Sequence, residues 1–203
     1  MRSVLVLMLL MIAGVSLASE TDPYPYGRWQ IGIDIQHNQL GDDQSRDEIS
    51  FESEAPGAGI HVGVMVARRL MLRLYATESD HPTNEPDVSI RYTGVSIDLL
   101  YMFRENQELR PYIFGGLGGY DLQSIQDNLT FDTTGGAMTF GIGGYWWMSQ
   151  SFSLHSQARV EAINWLNTTA VLNRPDGSTV TTETLIQDSG VAGSVSLGVA
   201  YWF

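Results

Sequence analysis

Five charged residues lie within segments in which apolar and polar side chains alternate: Asp34, Arg73, Asp98, Arg159 and Glu161. Alternate side chains of an extended segment project to opposite faces, so these charges share the polar face. An enclosed charge must be paired, because burying an isolated charge is very costly. We expect Arg73 to pair with Asp98, and Asp34 to join Arg159 and Glu161. Such a cluster can act as a gate or a ligand site, but charge pairing alone is the commoner role.

Hydrolytic chemistry would need a serine, a histidine and an acid within hydrogen-bonding reach of one another. His155 and Ser156 are neighbours in the sequence, so an extended backbone points them to opposite faces. His61 and His155 are expected on the polar face, whereas His37 and His81 lie near connections. The sequence therefore predicts no catalytic residues and no enzyme activity, and it predicts no cofactor and no metal site.

Carboxylates are concentrated in two predicted loops, one between residues 40 and 56 and one between residues 77 and 88. Their oxygens suit divalent cations, which could bridge the protein to phosphate groups. The loops lack the spacing and the glycine of an EF-hand, so a solvated acidic loop is the commoner explanation. The acidic residues are Asp42, Asp43, Asp47, Glu48, Glu52 and Glu54 in the first loop, and Glu78, Asp80, Glu85 and Asp87 in the second.

Residues 1–18 are predicted to be a signal peptide rather than part of the fold. Arg2 supplies a positive charge, residues 4–15 are apolar, and residues 16–18 form a small-x-small cleavage site. The mature chain, residues 19–203, is long enough for one domain. The absence of cysteine excludes disulfides and thiolate metal sites. The net charge of −12 argues against nucleic acid as a partner.

The mature chain contains eight segments with the period of two that β-strands show. In the first, Ile33 alternates with Asp34. The faces of residues 111–120 stay open because glycines fall on both, and Leu100 and Met102 interrupt the alternation of the fourth segment. The predicted strands cover residues 28–36, 59–67, 70–77, 89–103, 111–120, 134–147, 152–163 and 194–203.

The predicted connections are alternately long and short, the long ones acidic and the short ones beside arginines. No apolar run after residue 15 could cross a bilayer as a helix, so only a closed barrel would satisfy the backbone in lipid. We therefore predict an all-β fold, an eight-stranded antiparallel up-and-down transmembrane β-barrel with both termini in the periplasm. Aromatic residues beside the short turns are expected to form a girdle at the membrane surface. They are Tyr101, Phe103, Trp146, Trp147, Phe152, Tyr201, Trp202 and Phe203.

The last ten residues resemble the C-terminal β-signal of bacterial outer-membrane barrels, carried here by Ser196, Gly198, Tyr201 and Phe203. Residues 111–118 resemble the opening of a middle strand in the OmpA-like family. The mature chain as a whole resembles small eight-stranded barrels of the OmpA/OmpX kind. The resemblance implies the bacterial outer membrane as location, lipid and lipopolysaccharide as surroundings, and the barrel-assembly machinery as a partner. A monomeric barrel without a periplasmic domain is expected.

An eight-stranded barrel is just wide enough for side chains to fill it, so a polar plug is expected rather than a pore. The predicted function is structural or interactive, with the barrel as a membrane anchor that presents acidic loops for adhesion or envelope stability. Alternatives are a narrow channel or a carrier of small apolar ligands, which an apolar pocket opening sideways would favour. A lipid A-modifying enzyme is a less expected alternative.

Overall fold

The structure is a computed structural model that describes residues 27–41, 53–83, 88–103, 108–126, 128–174 and 177–203. The predicted signal peptide lies outside the described residues, as do most acidic residues of the first predicted loop. Within the described ranges, no helix is long and apolar enough to cross a membrane.

Eight antiparallel strands form one closed ring in which each strand pairs with the next and the last pairs with the first. This arrangement confirms the predicted eight-stranded up-and-down barrel. The strands are β1 (Trp29–Leu40), β2 (Glu54–Ala67), β3 (Leu70–His81), β4 (Val88–Met102), β5 (Leu109–Gln126), β6 (Leu129–Trp147), β7 (Phe152–Asn173) and β8 (Thr179–Trp202).

The two faces of the strands differ as the period of two predicts. Ile33 is 60% exposed on the outside of the ring, whereas the neighbouring Asp34 is 4% exposed in the lumen. The open question about β5 is settled by burial: Tyr112 and Tyr120 point inward, and Leu117 points outward. The outer surface is therefore an apolar band that suits lipid, and the polar face is enclosed.

Two predictions about the end of the barrel at which β1 begins and β8 ends, here called the lower end, were wrong. Leu100 and Met102 do not break the alternation, because both are buried in the lumen and continue the inward face of β4. Trp147 and Trp202 do not belong to an outer girdle, because both are buried inside the ring. The lower lumen is thus apolar, and inward positions there carry the large side chains that a polar-inside pattern does not anticipate.

The long outer connections after β5 and β7 were also predicted wrongly. Strands β5 and β6 stay paired to Gln126 and Leu129, and β7 and β8 stay paired to Asn173 and Thr179. These outer parts lie beyond the lipid-facing band, where water can reach both faces and no apolar stripe marks the strand. Threonine and other β-branched residues still favour extended, paired backbone there.

The second acidic loop is likewise shorter than predicted. β3 continues to His81 and pairs with β4, so Glu78 and Asp80 lie on a strand. β2 begins at Glu54, which places that acid on a strand as well. The connections therefore do not alternate simply between long and short.

Glycines make room for the inward side chains. A Cβ atom at Gly116 would lie 2.5 Å from Oδ1 of Asp98 and 2.8 Å from Oγ1 of Thr139. By contrast, a Cβ atom at Gly119 would meet only the carbonyl oxygen of Gly135, at 4.0 Å. The inward glycines thus leave space in a narrow lumen.

Candidate functional site

The lower lumen is filled by apolar and aromatic side chains. The indole rings of Trp147 and Trp202 pack with centroids 4.4 Å apart. The indole nitrogen of Trp202 donates a hydrogen bond of 2.9 Å to Oγ of Ser153. We call this group the lower-lumen cluster: Met65, Met71, Leu100, Met102, Tyr112, Phe114, Tyr145, Trp147, Ala200 and Trp202.

A charge cluster packs against this group and is centred on the carboxylate of Asp98. Nη2 of Arg73 lies 3.0 Å from Oδ2 of Asp98, so the predicted contact is present. Arg159 also contacts Asp98, and the hydroxyls of Thr139 and Ser96 donate to Oδ1 at 3.0 and 3.1 Å. All five side chains are buried, and they come from four strands.

Glu161 completes the charge cluster. Its Oε1 atom lies 3.6 Å from Nη1 of Arg159, so the predicted neighbourhood of these two residues is present. The hydroxyls of Tyr92 and Tyr120 donate to the same carboxylate at 2.5 and 2.8 Å. Together with Arg73 and Asp98, the cluster contains two guanidinium groups and two carboxylates, so its formal charge is zero.

Asp34 does not join Arg159 and Glu161, and that prediction was wrong. Its Oδ2 atom lies 3.0 Å from Nδ1 of His61, and its Oδ1 atom lies 2.5 Å from Nε2 of His155. Gly198 on β8 stands between Asp34 on β1 and His155 on β7, so the imidazole can reach across β8.

The grouping of Asp34 with two histidines was missed from the sequence, although both histidines were assigned to the inward face. The register of the strands was the missing information. One ligand atom from each of Asp34, His61 and His155 lies within 4.8 Å of the other two, so the three could hold a metal ion. The second ring nitrogen of each histidine is buried and has no hydrogen-bond partner among the described residues.

The upper lumen holds a second apolar group, which includes Leu40, Tyr92, Tyr120, Ile163 and Trp165. A cavity beside it is lined by apolar side chains and two glycines. Its volume is about 10 Å³, which holds roughly one water molecule. The lining residues are Leu40, Gly41, Leu122, Ile163, Trp165, Gly190 and Val191.

A serine–histidine pair that sequence reasoning missed lies on β3. Oγ of Ser79 is 3.1 Å from Nε2 of His81, because residues two apart share one face of a strand. His81 therefore lies on a strand rather than in a loop. Both side chains are buried on the inward face, away from the lipid boundary where a lipid-modifying enzyme would need them.

Ion pairs on the outer surface lie above the apolar band. The guanidinium of Arg91 contacts Asp80 at 2.9 Å and Glu78 at 3.4 Å, and all three side chains are exposed. The hydrogen bond with Asp80 raises the pKa of Arg91. Burial raises the pKa of Asp121, and the nearby carboxylate of Asp132 raises it further.

The residues of the predicted C-terminal signal lie where the ring closes. Trp29 and Phe203 exchange two backbone hydrogen bonds, of 3.1 and 3.0 Å. Ser196 is buried in the lumen, whereas Tyr201 is 44% exposed on the lipid-facing side. The end of β8 thus pairs with the start of β1 and carries Tyr201 on its lipid-facing side.

Comparisons with known proteins agree with this architecture. A family model described as "Outer membrane protein beta-barrel domain" matches residues 3–203. A search of curated proteins found no significant match. Among solved structures, Neisserial surface protein A is 12% identical with a TM-score of 0.61, and the match covers 86% of this chain and 98% of that one.

Two further barrels resemble the chain. Ail, the attachment invasion locus protein of Yersinia pestis, is 13% identical with a TM-score of 0.58, and the match covers 88% of this chain and 100% of Ail. OprG from Pseudomonas aeruginosa is 14% identical with a TM-score of 0.56, over 89% of this chain and 97% of OprG. At these identities the likeness shows the fold.

Proposed function

The chain belongs to the outer membrane protein beta-barrel family, and from this premise we propose that it is a plugged barrel with a structural and surface-interaction role. Its location is the outer membrane, where barrels of this kind sit among lipids and lipopolysaccharide. We propose that it acts as a monomer, has no enzyme activity and serves as a membrane anchor for the structures that it presents outside the cell.

The Asp98 carboxylate is the observation that carries the plug. It accepts contacts from Arg73 on β3, Thr139 on β6 and Arg159 on β7, and so links strands around the ring. Each guanidinium also packs over aromatic rings: Arg73 lies 5.0 Å from the centroid of Phe114, and Arg159 lies 4.4 Å from that of Tyr75. A neutral cluster of this kind fills space that a water-filled channel would need.

Electrical recording on the purified protein tests the plug. The protein is inserted into planar bilayers, and a large porin in the same lipid serves as the positive control. We expect no stable single-channel conductance from the plugged barrel. A stable conductance would show that the lumen is a channel and would overturn this part of the proposal.

The outer extensions of the barrel support a role at the cell surface. The β5–β6 and β7–β8 hairpins continue well beyond the lipid-facing band and present mostly polar side chains. The acidic segment at residues 42–52 lies outside the described residues, and we propose that it contributes to the same surface. The interactive part of the molecule thus lies at its outer end, and its anchor lies in the membrane.

Two replacements test the surface role. In one variant a short Gly-Ser linker replaces residues 42–52, and in the other a tight turn replaces residues 167–185. We expect both proteins to fold, as judged by heat-modifiable gel migration, and to show weaker adherence of expressing cells to host-cell layers. Unchanged adherence of both variants, with normal surface amounts, would contradict a role in adhesion.

The alternative function is that of a carrier of small apolar ligands. Such a carrier would need a ligand-sized apolar cavity, and the cavity described here lies in the upper lumen. The cavity beside Leu122 and Trp165 has room for about one water molecule, which is far below the space that a ligand needs. This cavity therefore gives no support to a carrier.

We also propose that Ser196, Gly198, Tyr201 and Phe203 form the signal that the barrel-assembly machinery binds during insertion.

A further inference from the structure

Asp34, His61 and His155 form a group of metal-ligating side chains in the lumen. The carboxylate lies between the two imidazoles, with nitrogen–oxygen distances of 3.0 and 2.5 Å, and all three side chains are buried. The rings of the two histidines are also in contact, with centroids 4.8 Å apart and planes at 82°. Three potential ligand atoms from three strands therefore meet within a space the size of one ion and its ligands.

The backbone leaves this space open at two glycines. A Cβ atom at Gly198 would lie 2.7 Å from both Oδ1 of Asp34 and Cε1 of His155. A Cβ atom at Gly32 would collide with the imidazole of His61. Any other residue at these positions would force the side chains of Asp34, His61 or His155 to shift. The two glycines are therefore needed for this arrangement of the three side chains.

The Asp34 carboxylate is set apart from the charge cluster. The guanidiniums of Arg73 and Arg159 pair with the carboxylates of Asp98 and Glu161, and a third buried guanidinium, that of Arg110, lies in the lower lumen over the ring of Trp147. The contacts of Asp34 among the described residues are two imidazoles and the hydroxyl of Ser196, with no guanidinium. A buried carboxylate without a positive partner is very costly, so a cation at this position would stabilise the fold.

The ligand chemistry narrows the choice of cation. Calcium and magnesium prefer all-oxygen surroundings, whereas two imidazoles and one carboxylate are a common set for zinc and for iron(II). The second nitrogens of His61 and His155 are buried without a hydrogen-bond partner, so neither ring is fully committed to other contacts. We propose that Asp34, His61 and His155 bind one divalent transition-metal ion, with zinc as the ion to test.

The position of the site suggests what the metal does. Asp34 lies on β1, His61 on β2 and His155 on β7, and β8 runs between β1 and β7. An ion held by these three residues ties the first hairpin to β7 across the last strand, where the chain closes on itself. Metal binding would thus stabilise closure of the ring, and a barrel without the ion would still have its charge cluster and lower-lumen cluster.

Burial also determines how the ion enters. Tyr145 and Trp202 of the lower-lumen cluster pack together, and Tyr145 packs against His155. Tyr75 stacks on His61. Because side chains enclose the group, the ion binds while the strands assemble and then exchanges slowly. A chelator present during folding should prevent binding, whereas the same chelator added afterwards should remove little metal.

Metal content after refolding tests the proposal. The protein is refolded into detergent micelles with zinc, with zinc plus EDTA, or with zinc followed by EDTA, and is then separated from free metal. We expect about one zinc per chain in the first and third samples and none in the second. Absence of retained zinc in the first sample, or its full loss in the third, would overturn the proposal.

Substitutions identify the ligands. His61→Gln and His155→Gln should lose the retained zinc, and His37→Gln should keep it, because His37 forms an exposed pair with Glu54 outside the lumen. Heat-modifiable gel migration shows which variants are folded. Equal zinc retention in the folded ligand variants and in the control contradicts the assignment.

A spectroscopic measurement on the unmodified protein decides the matter if a ligand variant does not fold. Cobalt replaces zinc during refolding, and its visible ligand-field absorption reports coordination by nitrogen and oxygen at low coordination number. The expected spectrum differs from that of hydrated cobalt. A spectrum identical to hydrated cobalt would overturn the site.

Discussion

Arg73 and Asp98 stand directly opposite each other in the β3–β4 ladder, and Nη2 of the arginine lies 3.0 Å from Oδ2 of the aspartate. Both side chains are fully buried, and the same carboxylate holds Arg159. The carboxylate of Asp98 therefore pairs with two guanidinium groups at once. Removing the carboxylate would leave two buried positive charges with a single remaining carboxylate, that of Glu161.

Asp98→Asn should lower the free energy of unfolding by about 3–5 kcal/mol, because it breaks a buried ion pair on one side only. The measurement is urea unfolding in lipid vesicles, followed by tryptophan fluorescence. The matched control is Asp80→Asn, which removes an exposed partner of Arg91 and should cost less than about 1 kcal/mol. Equal losses in the two variants would mean that the lumen pair is as well hydrated as a surface pair.

Gly116→Ala should destabilise the barrel by roughly 1–3 kcal/mol, because the added methyl group overlaps Asp98 and Thr139. Gly119→Ala, on the same strand, is the control, since its methyl group would meet only a carbonyl oxygen at 4.0 Å. The same unfolding measurement compares them. If Gly119→Ala were as harmful as Gly116→Ala, contact with the lumen side chains would not explain the loss at Gly116.

Trp202→Ala should cost about 3–5 kcal/mol, because it empties a fully buried position in the lower-lumen cluster. It also removes the hydrogen bond to Ser153. Trp146→Ala is the control, since that indole is exposed on the outside and should give a smaller loss. Refolding of the purified proteins in vitro separates this packing effect from any effect on assembly in cells. A larger loss of stability for Trp146→Ala than for Trp202→Ala would contradict the inference that packing inside the lower lumen makes the larger contribution.

Asp121→Asn should stabilise the barrel increasingly as the pH rises from acid to neutral. Burial and Asp132 raise the pKa of Asp121, so the folded protein binds that proton more tightly than the unfolded chain does. Stability therefore falls as the pH rises from the ordinary carboxyl pKa through the raised one. The gain above that interval should be about 0.2–1 kcal/mol, the size of a cross-strand charge repulsion.

Unfolding midpoints measured across this pH range test the effect of Asp121. Gln123→Asn is an uncharged substitution on the same strand and should show no pH-dependent difference from the unmodified protein. A constant difference for Asp121→Asn at every pH would rule out ionisation as its cause.

Phe203→Ala should reduce the amount of barrel assembled in cells several-fold, while refolding of the purified protein changes little. The reason is that this aromatic residue belongs to the proposed assembly signal, whereas its backbone bonds to Trp29 do not need the side chain. Phe103→Ala removes an outward aromatic directly after β4, near the same end, and serves as the control. Equal assembly of the two variants would argue against recognition of the C-terminal signal.

The faces of most strand positions were predictable from the sequence, because the period of two is a local property of extended backbone. The exceptions were the faces of β5 and the inward aromatic residues of the lower lumen, such as Trp147 and Trp202. Alternation alone placed Asp34, Arg73, Asp98, Arg159 and Glu161 in the lumen. Because a strand in lipid must pair on both edges, the eight alternating segments also predicted a closed ring. The contact between Arg73 and Asp98 was also predictable, since the two residues lie at similar heights above the periplasmic ends of the neighbouring strands β3 and β4.

The partners of Asp34 were decided only by the tertiary structure. Which residues stand at one height across the lumen depends on the stagger that accumulates around a closed ring. Irregular registers contribute to that stagger, as between Met65 and Ala67 and between Trp165 and Asn167. The closing pair β1–β8 then sets Gly198 between Asp34 and His155. The sequence determined which side chains face inward, because that follows from one strand at a time; which of them meet required all eight strands to be in register.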